Sequence, residues 1–178
     1  QKPLRAPDVP FDPSPRHVVD EMLKLADVRK GDVVYDLGCG DGRIIIMAAE
    51  TTLAKCIGIE RRKELAFGAD KKIRDLNLSR RTAVLYGDFF YVDLRSADIV
   101  ISYLLTAVNK KLAPKLEKEL KVDAKVVSHD FEFPDWKPTK FIMLNEGWLD
   151  HKVYLYVKES PNGFDKKKEQ SELAWKSL

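Results

Sequence analysis

Short apolar runs alternate with stretches of helical spacing along most of the chain. Pro3, Pro7, Pro10, Pro13 and Pro15 make the first fifteen residues an extended arm. Ser14 then reads as an N-cap and Pro15 as a first helical position. Val18, Val19, Met22, Leu23 and Ala26 follow at helical spacing, and Gly31 closes that segment. Strands are expected at 32–37, 55–60, 82–86, 98–103 and 125–129, each a short apolar run. Helices are expected after the first strand (43–49), after the second (61–76) and after the fourth (107–120), with Pro114 interrupting the last. Beyond 129 the alternation stops. The runs 140–144 and 152–157 are separated by seven residues, including Gly147, too few for a helical crossover. They predict an antiparallel hairpin at the sheet edge. The fold class that follows is α/β: a Rossmann-like, seven-stranded, mostly parallel sheet with helices on both faces and a C-terminal antiparallel hairpin. One domain spans 1–178, with an arm and helix (1–30), a core (31–158) and a tail (159–178) that carries a weak helical pattern at Leu173 and Trp175.

Composition narrows the classes without choosing among them. The chain is 178 residues, 44% hydrophobic and 33% charged, which suits one domain with a real core and excludes a disordered chain. No run approaches the ~18 apolar residues of a membrane helix. With 31 Lys+Arg against 28 Asp+Glu, the net charge of +3 demands no nucleic-acid partner. Arg61, Arg62, Lys63, Lys71, Lys72, Arg74, Arg80 and Arg81 read as a solvated helix face. Cys39 and Cys56 make no disulfide framework and fall at opposite ends of neighbouring parallel strands, roughly 10 Å or more apart. A reducing compartment, the cytoplasm, is the expectation, with room for a targeting segment upstream of Gln1. His17, His129 and His151 lie far apart in sequence and neither cysteine has a CxxC partner, so no metal is expected.

In sheets of this kind ligands bind at the carboxyl ends of the strands. That rule selects Asp36–Gly42, Glu60, 87–90 and 102–105. Gly38, Gly40 and Gly42 allow a tight turn and a close ligand approach. The spacing is not G-x-G-x-x-G, because Arg43 holds the third place, and no G-K-[ST] follows. Asp36 and Asp41 flank the turn and would repel a pyrophosphate. Glu60 can accept from two ribose hydroxyls, Asp88 from an exocyclic amine, and Phe89 or Phe90 offers an apolar face for a base. Together these describe a cationic nucleoside without phosphate, a description that S-adenosylmethionine fits.

Asp36-Leu37-Gly38-Cys39-Gly40-Asp41-Gly42, with Ile59-Glu60 and Gly87-Asp88, resembles the motif set of class I S-adenosylmethionine-dependent methyltransferases. A narrower resemblance covers residues 9 to 158. The arm Val9-Pro10-Phe11-Asp12-Pro13-Ser14-Pro15 is similar to that of small archaeal protein-lysine methyltransferases, with Phe11 in place of tyrosine and Ser14 in place of threonine. Leu104-Leu105-Thr106, Val108-Asn109, the segment from Pro114 to Leu120, Val126-Val127-Ser128-His129, and His151 with 153–157 extend the match. Mitochondrial protein-lysine methyltransferases share the layout. The resemblance implies an arm folded over the cofactor, with Phe11, Ser14, Asp36, Gly38, Cys39, Gly40, Glu60, Asp88 and Phe89 as cofactor-binding candidates. It also implies a lysine amine on a protein as acceptor.

Methyl transfer from a sulfonium is an in-line displacement that asks mainly for positioning and exclusion of water. The acceptor site is expected beyond the fourth strand, at Ser102, Tyr103 and Leu104, with Trp148 and Tyr154 as wall residues. Tyr103 is open to a second reading as packing, and His129 and His151 to structural or surface roles. One of Tyr154 and Tyr156 should face the core. Two other functions compete: a methyltransferase for RNA or a small metabolite on the same fold, and a binding protein that keeps the cofactor site. Strand four lacks the N/D-P-P-Y/F signature of amino methylation on adenine or glutamine, and no nucleic-acid domain is appended. A monomer acting on protein substrates, without metal, nucleic acid or membrane segment, is the expected state.

Overall fold

The computed structural model describes residues 11–168. The arm before Phe11 and the pattern at Leu173 and Trp175 lie outside the described residues. Seven strands form one sheet: β1 (Val33–Leu37), β2 (Lys55–Glu60), β3 (Thr82–Tyr86), β4 (Ile99–Ser102), β5 (Lys125–His129), β6 (Lys140–Glu146) and β7 (Leu149–Val157). Their spatial order is β3-β2-β1-β4-β5-β7-β6. The first five pair in parallel, while β7 runs antiparallel to both β5 and β6. The chain leaves β1 toward one edge and returns beside it as β4, so the strand order reverses between β1 and β4. That is where a ligand crevice opens at the strand ends.

The β1 to β5 strands alternate their side chains between two apolar layers. Val34, Cys56, Ile101 and Val127 meet Val18, Met22, Ile45 and Ala48 of helices α1 (Arg16–Leu25) and α2 (Arg43–Thr52), with Ile73 of α3 (Lys63–Asp75). Tyr35, Leu37, Val100 and Val126 meet Leu112 and Leu116 of α4 (Thr106–Glu119) on the other face. Among the described residues no helix is long and apolar enough to cross a membrane.

Four local expectations are corrected. Ser14 does not cap α1: the N-cap is Pro15, without a side-chain bond, because the Ser14 hydroxyl is taken by His129 at 2.8 Å. Helix α4 runs unbroken through Pro114, its apolar face held in the core by Leu112, Ala113 and Leu116. The hairpin loop is two residues long, not seven. Glu146 pairs with Leu149 across Gly147 and Trp148, and Gly147 adopts the positive φ of 60° that such a turn accepts at its first central position. The packed structure also continues past 158. Phe164 stacks on Trp136 at 3.8 Å between ring centroids, and Trp136 stacks on Phe133 at 4.4 Å.

Candidate active site

At the β1 end, the amides of Gly38 and Cys39 both donate to the Ile59 carbonyl, folding the glycine turn across β2. Gly38, Gly40 and Gly42 all take positive φ. Two of them are also places of close approach. A Cβ on Gly40 would lie 2.5 Å from the Phe11 ring, and one on Gly42 would lie 2.9 Å from the Ala69 Cβ. Glu60, at the β2 end, braces the turn: its Oε2 accepts from the Gly40 amide at 2.9 Å and its Oε1 from the Arg62 amide at 2.7 Å. Each oxygen keeps a further lone pair.

Asp36 is buried, and its Oδ2 accepts no hydrogen bond among the described residues. Burial, reinforced by the negative charges of Glu60 and Asp41, pushes its pKa up to about 8. Asp41 differs. Its carboxylate is paired with Arg43 at 2.8 Å and Lys72 at 3.5 Å. Of the two acids flanking the turn, only Asp36 lacks a cation among the described residues. A buried acceptor beside a glycine cradle suits a cationic ligand.

Phe11, Ser14, Asp36, Gly38, Cys39, Gly40, Glu60, Phe89, Tyr103 and Leu104, ten residues selected from sequence, line one pocket there. Ile44 and Ile59 add apolar wall, and Asp12 closes the arm side. The Cys39 thiol is buried, and burial holds its pKa well above the ordinary range, so it contributes shape and not nucleophilicity.

Two candidates fall outside that lining. Ser102, expected as an acceptor contact, is wholly buried within the sheet, its Oγ 3.4 Å from the Ser128 Oγ. It cannot touch an acceptor; it belongs to a polar knot in which Asn109 Nδ2 also donates to the Phe131 and Glu132 carbonyls. Asp88 is buried outside the lining: Oδ1 accepts from the Phe90 amide and Oδ2 meets Arg61 at 3.3 Å. Arg61 is therefore a buried ion-pair partner and no part of a solvated face. The proposed wall residues also move. Trp148 is fully exposed at the hairpin tip, and Tyr154 packs on Phe141 at 5.1 Å. Tyr156 is the tyrosine that faces the core.

Tyr103 extends from the β4 end into the mouth. Its hydroxyl donates to Asp12 at 3.0 Å and lies 3.4 Å from Asp130 Oδ2, and its ring lies 4.0 Å from that of His129. Burial and these two carboxylates raise its pKa, so it stays a phenol. Asp12 and Asp130 were missed from sequence. Asp12 carried a signal, an acid among prolines in an arm that covers the site; Asp130 carried none. The histidines also come together. His129 pairs with Val153 across β5 and β7, so His151, two residues away on the same face of β7, lies diagonal to it. His129 Nε2 and His151 Nδ1 are 2.9 Å apart.

The family model described as the ANTKMT methyltransferase domain matches residues 36–140. The chain belongs to that methyltransferase family. It shares 47% identity over 152 residues with a protein-lysine N-methyltransferase of Saccharolobus islandicus, covering 85% of this chain and 94% of that one. With the adenine nucleotide translocase lysine N-methyltransferase of Mus musculus it shares 34%, covering 79% of this chain and 60% of the mouse protein. A crystal structure of an RNA methyltransferase from Salinibacter ruber in complex with S-adenosyl-L-homocysteine superposes with a TM-score of 0.78 at 38% identity, over 89% of this chain and 97% of that one. The seven-stranded sheet is thus a class I methyltransferase core, and the chain is an S-adenosylmethionine-dependent methyltransferase.

Proposed function

We propose that this methyltransferase acts on a lysine amine of protein substrates. The observation that carries the reading is the likeness to the Saccharolobus islandicus enzyme, which spans nearly the whole length of both chains. The pocket chemistry agrees with the cofactor. Asp36 would face its cationic end, Glu60 would accept from the ribose hydroxyls, and Phe89 would lie against the base. When bound, S-adenosylmethionine supplies an electrophilic methyl group on sulfonium. Asp88 would support this site from outside the lining, through Arg61 and the Phe90 amide.

The chain's own residues have to bring a neutral amine to that methyl group and keep water out. A lysine arrives as an ammonium, with a reference pKa of about 10.4. The acids Asp12 and Asp130 and the Tyr103 ring at the mouth favour its approach. Beside the cofactor pocket, buried Leu104 and the Phe11 ring present an apolar surface that would lower the amine's pKa by desolvation, so it enters the reaction as a free base. No residue need act as a dedicated base.

An RNA acceptor is the second reading, carried by the Salinibacter ruber likeness. Incubation of a cell lysate with the enzyme and methyl-labelled cofactor separates the two. Label that protease removes and nuclease leaves, recovered as methyl-lysine after hydrolysis, is the expected result. Label lost to nuclease alone overturns the lysine reading. We further take the enzyme to be a cytoplasmic monomer. The two free, buried cysteines support a reducing compartment, and sedimentation at micromolar concentration checks the oligomeric state.

A further inference from the structure

We propose that His129, Asp130 and His151 form a binding site for a divalent transition-metal ion of the zinc class. The three inward-facing ligand atoms are His129 Nε2, His151 Nδ1 and Asp130 Oδ2. Their separations are 2.9 Å between the imidazoles, 3.3 Å from His129 to Asp130 and 3.6 Å from His151 to Asp130. A tetrahedral zinc ion holds nitrogen and oxygen ligands at about 2.0–2.1 Å, which sets ligand–ligand edges of about 3.3–3.4 Å. The triangle straddles that value, so an ion fits with side-chain adjustments of a few tenths of an ångström.

The outer contacts argue for the same reading. A metal-bound histidine has its second ring nitrogen held by a hydrogen-bonding partner, which fixes its orientation. His129 Nδ1 is 2.8 Å from Ser14 Oγ, and His151 Nε2 is 3.2 Å from Glu146 Oε2. The second oxygen of Asp130, Oδ1, accepts from the Lys152 amide at 2.8 Å. Each of the three groups therefore turns one donor atom inward and has the other anchored. His129 is fully buried, so the packing around it holds the ring in place. The fourth tetrahedral position remains for water or for a group entering from the Tyr103 side. Binding would move the hydrogen between the imidazoles from the inward nitrogen to the outer nitrogen of the same ring, where Ser14 or Glu146 accepts it, so no net proton is lost.

The site ties the β5 end to the hairpin and, through Ser14, to the arm. It shares Asp130 with the mouth, but ion binding is read without activity, so either reading can fail alone. The test uses the whole chain, stripped with a chelator and titrated with zinc against a chromophoric competitor. One equivalent should bind. His151→Ala should weaken binding by at least a hundredfold, and Glu146→Gln, an outer contact, by about tenfold. Cobalt should give the visible bands of a tetrahedral nitrogen–oxygen site without a thiolate charge-transfer band. Melting curves of both variants in chelator check that they fold. Absence of a binding equivalent, zinc affinity unchanged by His151→Ala, or a thiolate band would each overturn the proposal. The first result would leave the imidazole pair as a plain hydrogen bond.

Discussion

Replacing Asp36 with Asn asks whether one buried carboxylate governs cofactor affinity. With a pKa of about 8, the ligand-free protein keeps Asp36 mostly protonated at pH 7, about one molecule in ten being ionised. A cationic ligand selects the ionised form, so its apparent Kd is the intrinsic value divided by that fraction. Between pH 6 and pH 8 the ionised fraction grows about 50-fold, or about 2.3 kcal/mol. The Asp36→Asn protein has nothing to titrate there. The ratio of its Kd to the wild-type Kd should therefore rise about 50-fold over those two pH units. Any titration of the cofactor itself affects both proteins and cancels in the ratio. Calorimetric titration with S-adenosylmethionine at three pH values measures it, and a constant ratio would refute the reasoning. Stability gives a second reading of the same group. Unfolded Asp titrates near 3.9, so from about pH 4 to pH 8 the unfolded chain sheds a proton that the folded chain keeps. Rising pH thus removes stability across that window. Asp36→Asn should stabilise the ligand-free protein at pH 7, on the order of 4 kcal/mol, in urea denaturation. A less stable variant would mean that Asp36 is ionised and compensated.

Three further changes probe other parts of the site. Gly58→Ala places a methyl 2.5 Å from the Cys39 Sγ and 2.9 Å from Ile45 Cδ1, so it should cost about 1–3 kcal/mol in denaturation and weaken cofactor binding; adding Cys39→Ala should recover part of both. Tyr103→Phe removes the hydroxyl that donates to Asp12 beside Asp130, about 0.5–1.5 kcal/mol, and should raise the cofactor KM severalfold with a smaller change in kcat. An unchanged KM would mean that this contact does not hold the arm. Trp136→Ala empties the stack between Phe133 and Phe164 and removes one donor to Glu117, which keeps Lys166, so a loss of about 3–5 kcal/mol is expected by chemical denaturation. A loss under 1 kcal/mol would show that the segment around Phe164 is not part of the cooperative unit.

The sheet was legible because each strand of the first five carries its own apolar run and its own turn chemistry. The glycine turn was legible because Asp36, Glu60 and the three glycines fall within 25 residues and on two adjacent strand ends. What sequence could not reveal depends on pairing across the fold. Ser102 and Tyr103 are neighbours in the chain, yet the strand pleat sends one into the sheet and the other to the mouth. Asp88 has the right place at a strand end, but Arg61 claims it from the next loop. The histidine cluster exists only through the β5–β7 register, which no local pattern encodes. Pro114 misled for the converse reason: tertiary burial of α4 outweighs a local break.

Three residues of the arm reach every part of this site. Phe11 lies over the Gly40 turn, Asp12 takes the Tyr103 hydroxyl, and Ser14 meets both the pocket and His129. Anything that orders the arm from one side therefore prepares it for the other. An ion at His129, Asp130 and His151 would fix the Ser14 partner and with it the roof of the cofactor pocket. Linkage then requires reciprocity: zinc must tighten cofactor binding by the same factor by which the cofactor tightens zinc. Calorimetric titrations of the cofactor with and without zinc, and of zinc with and without S-adenosylhomocysteine, give the two factors. Ordering one short segment is worth about 1–2 kcal/mol per residue fixed, so a factor of five or more is expected. Two equal factors of one would mean that Ser14 is rigid before either ligand arrives. The arm would then be a fixed wall, and acceptor choice would rest on Tyr103 and the loop after β5.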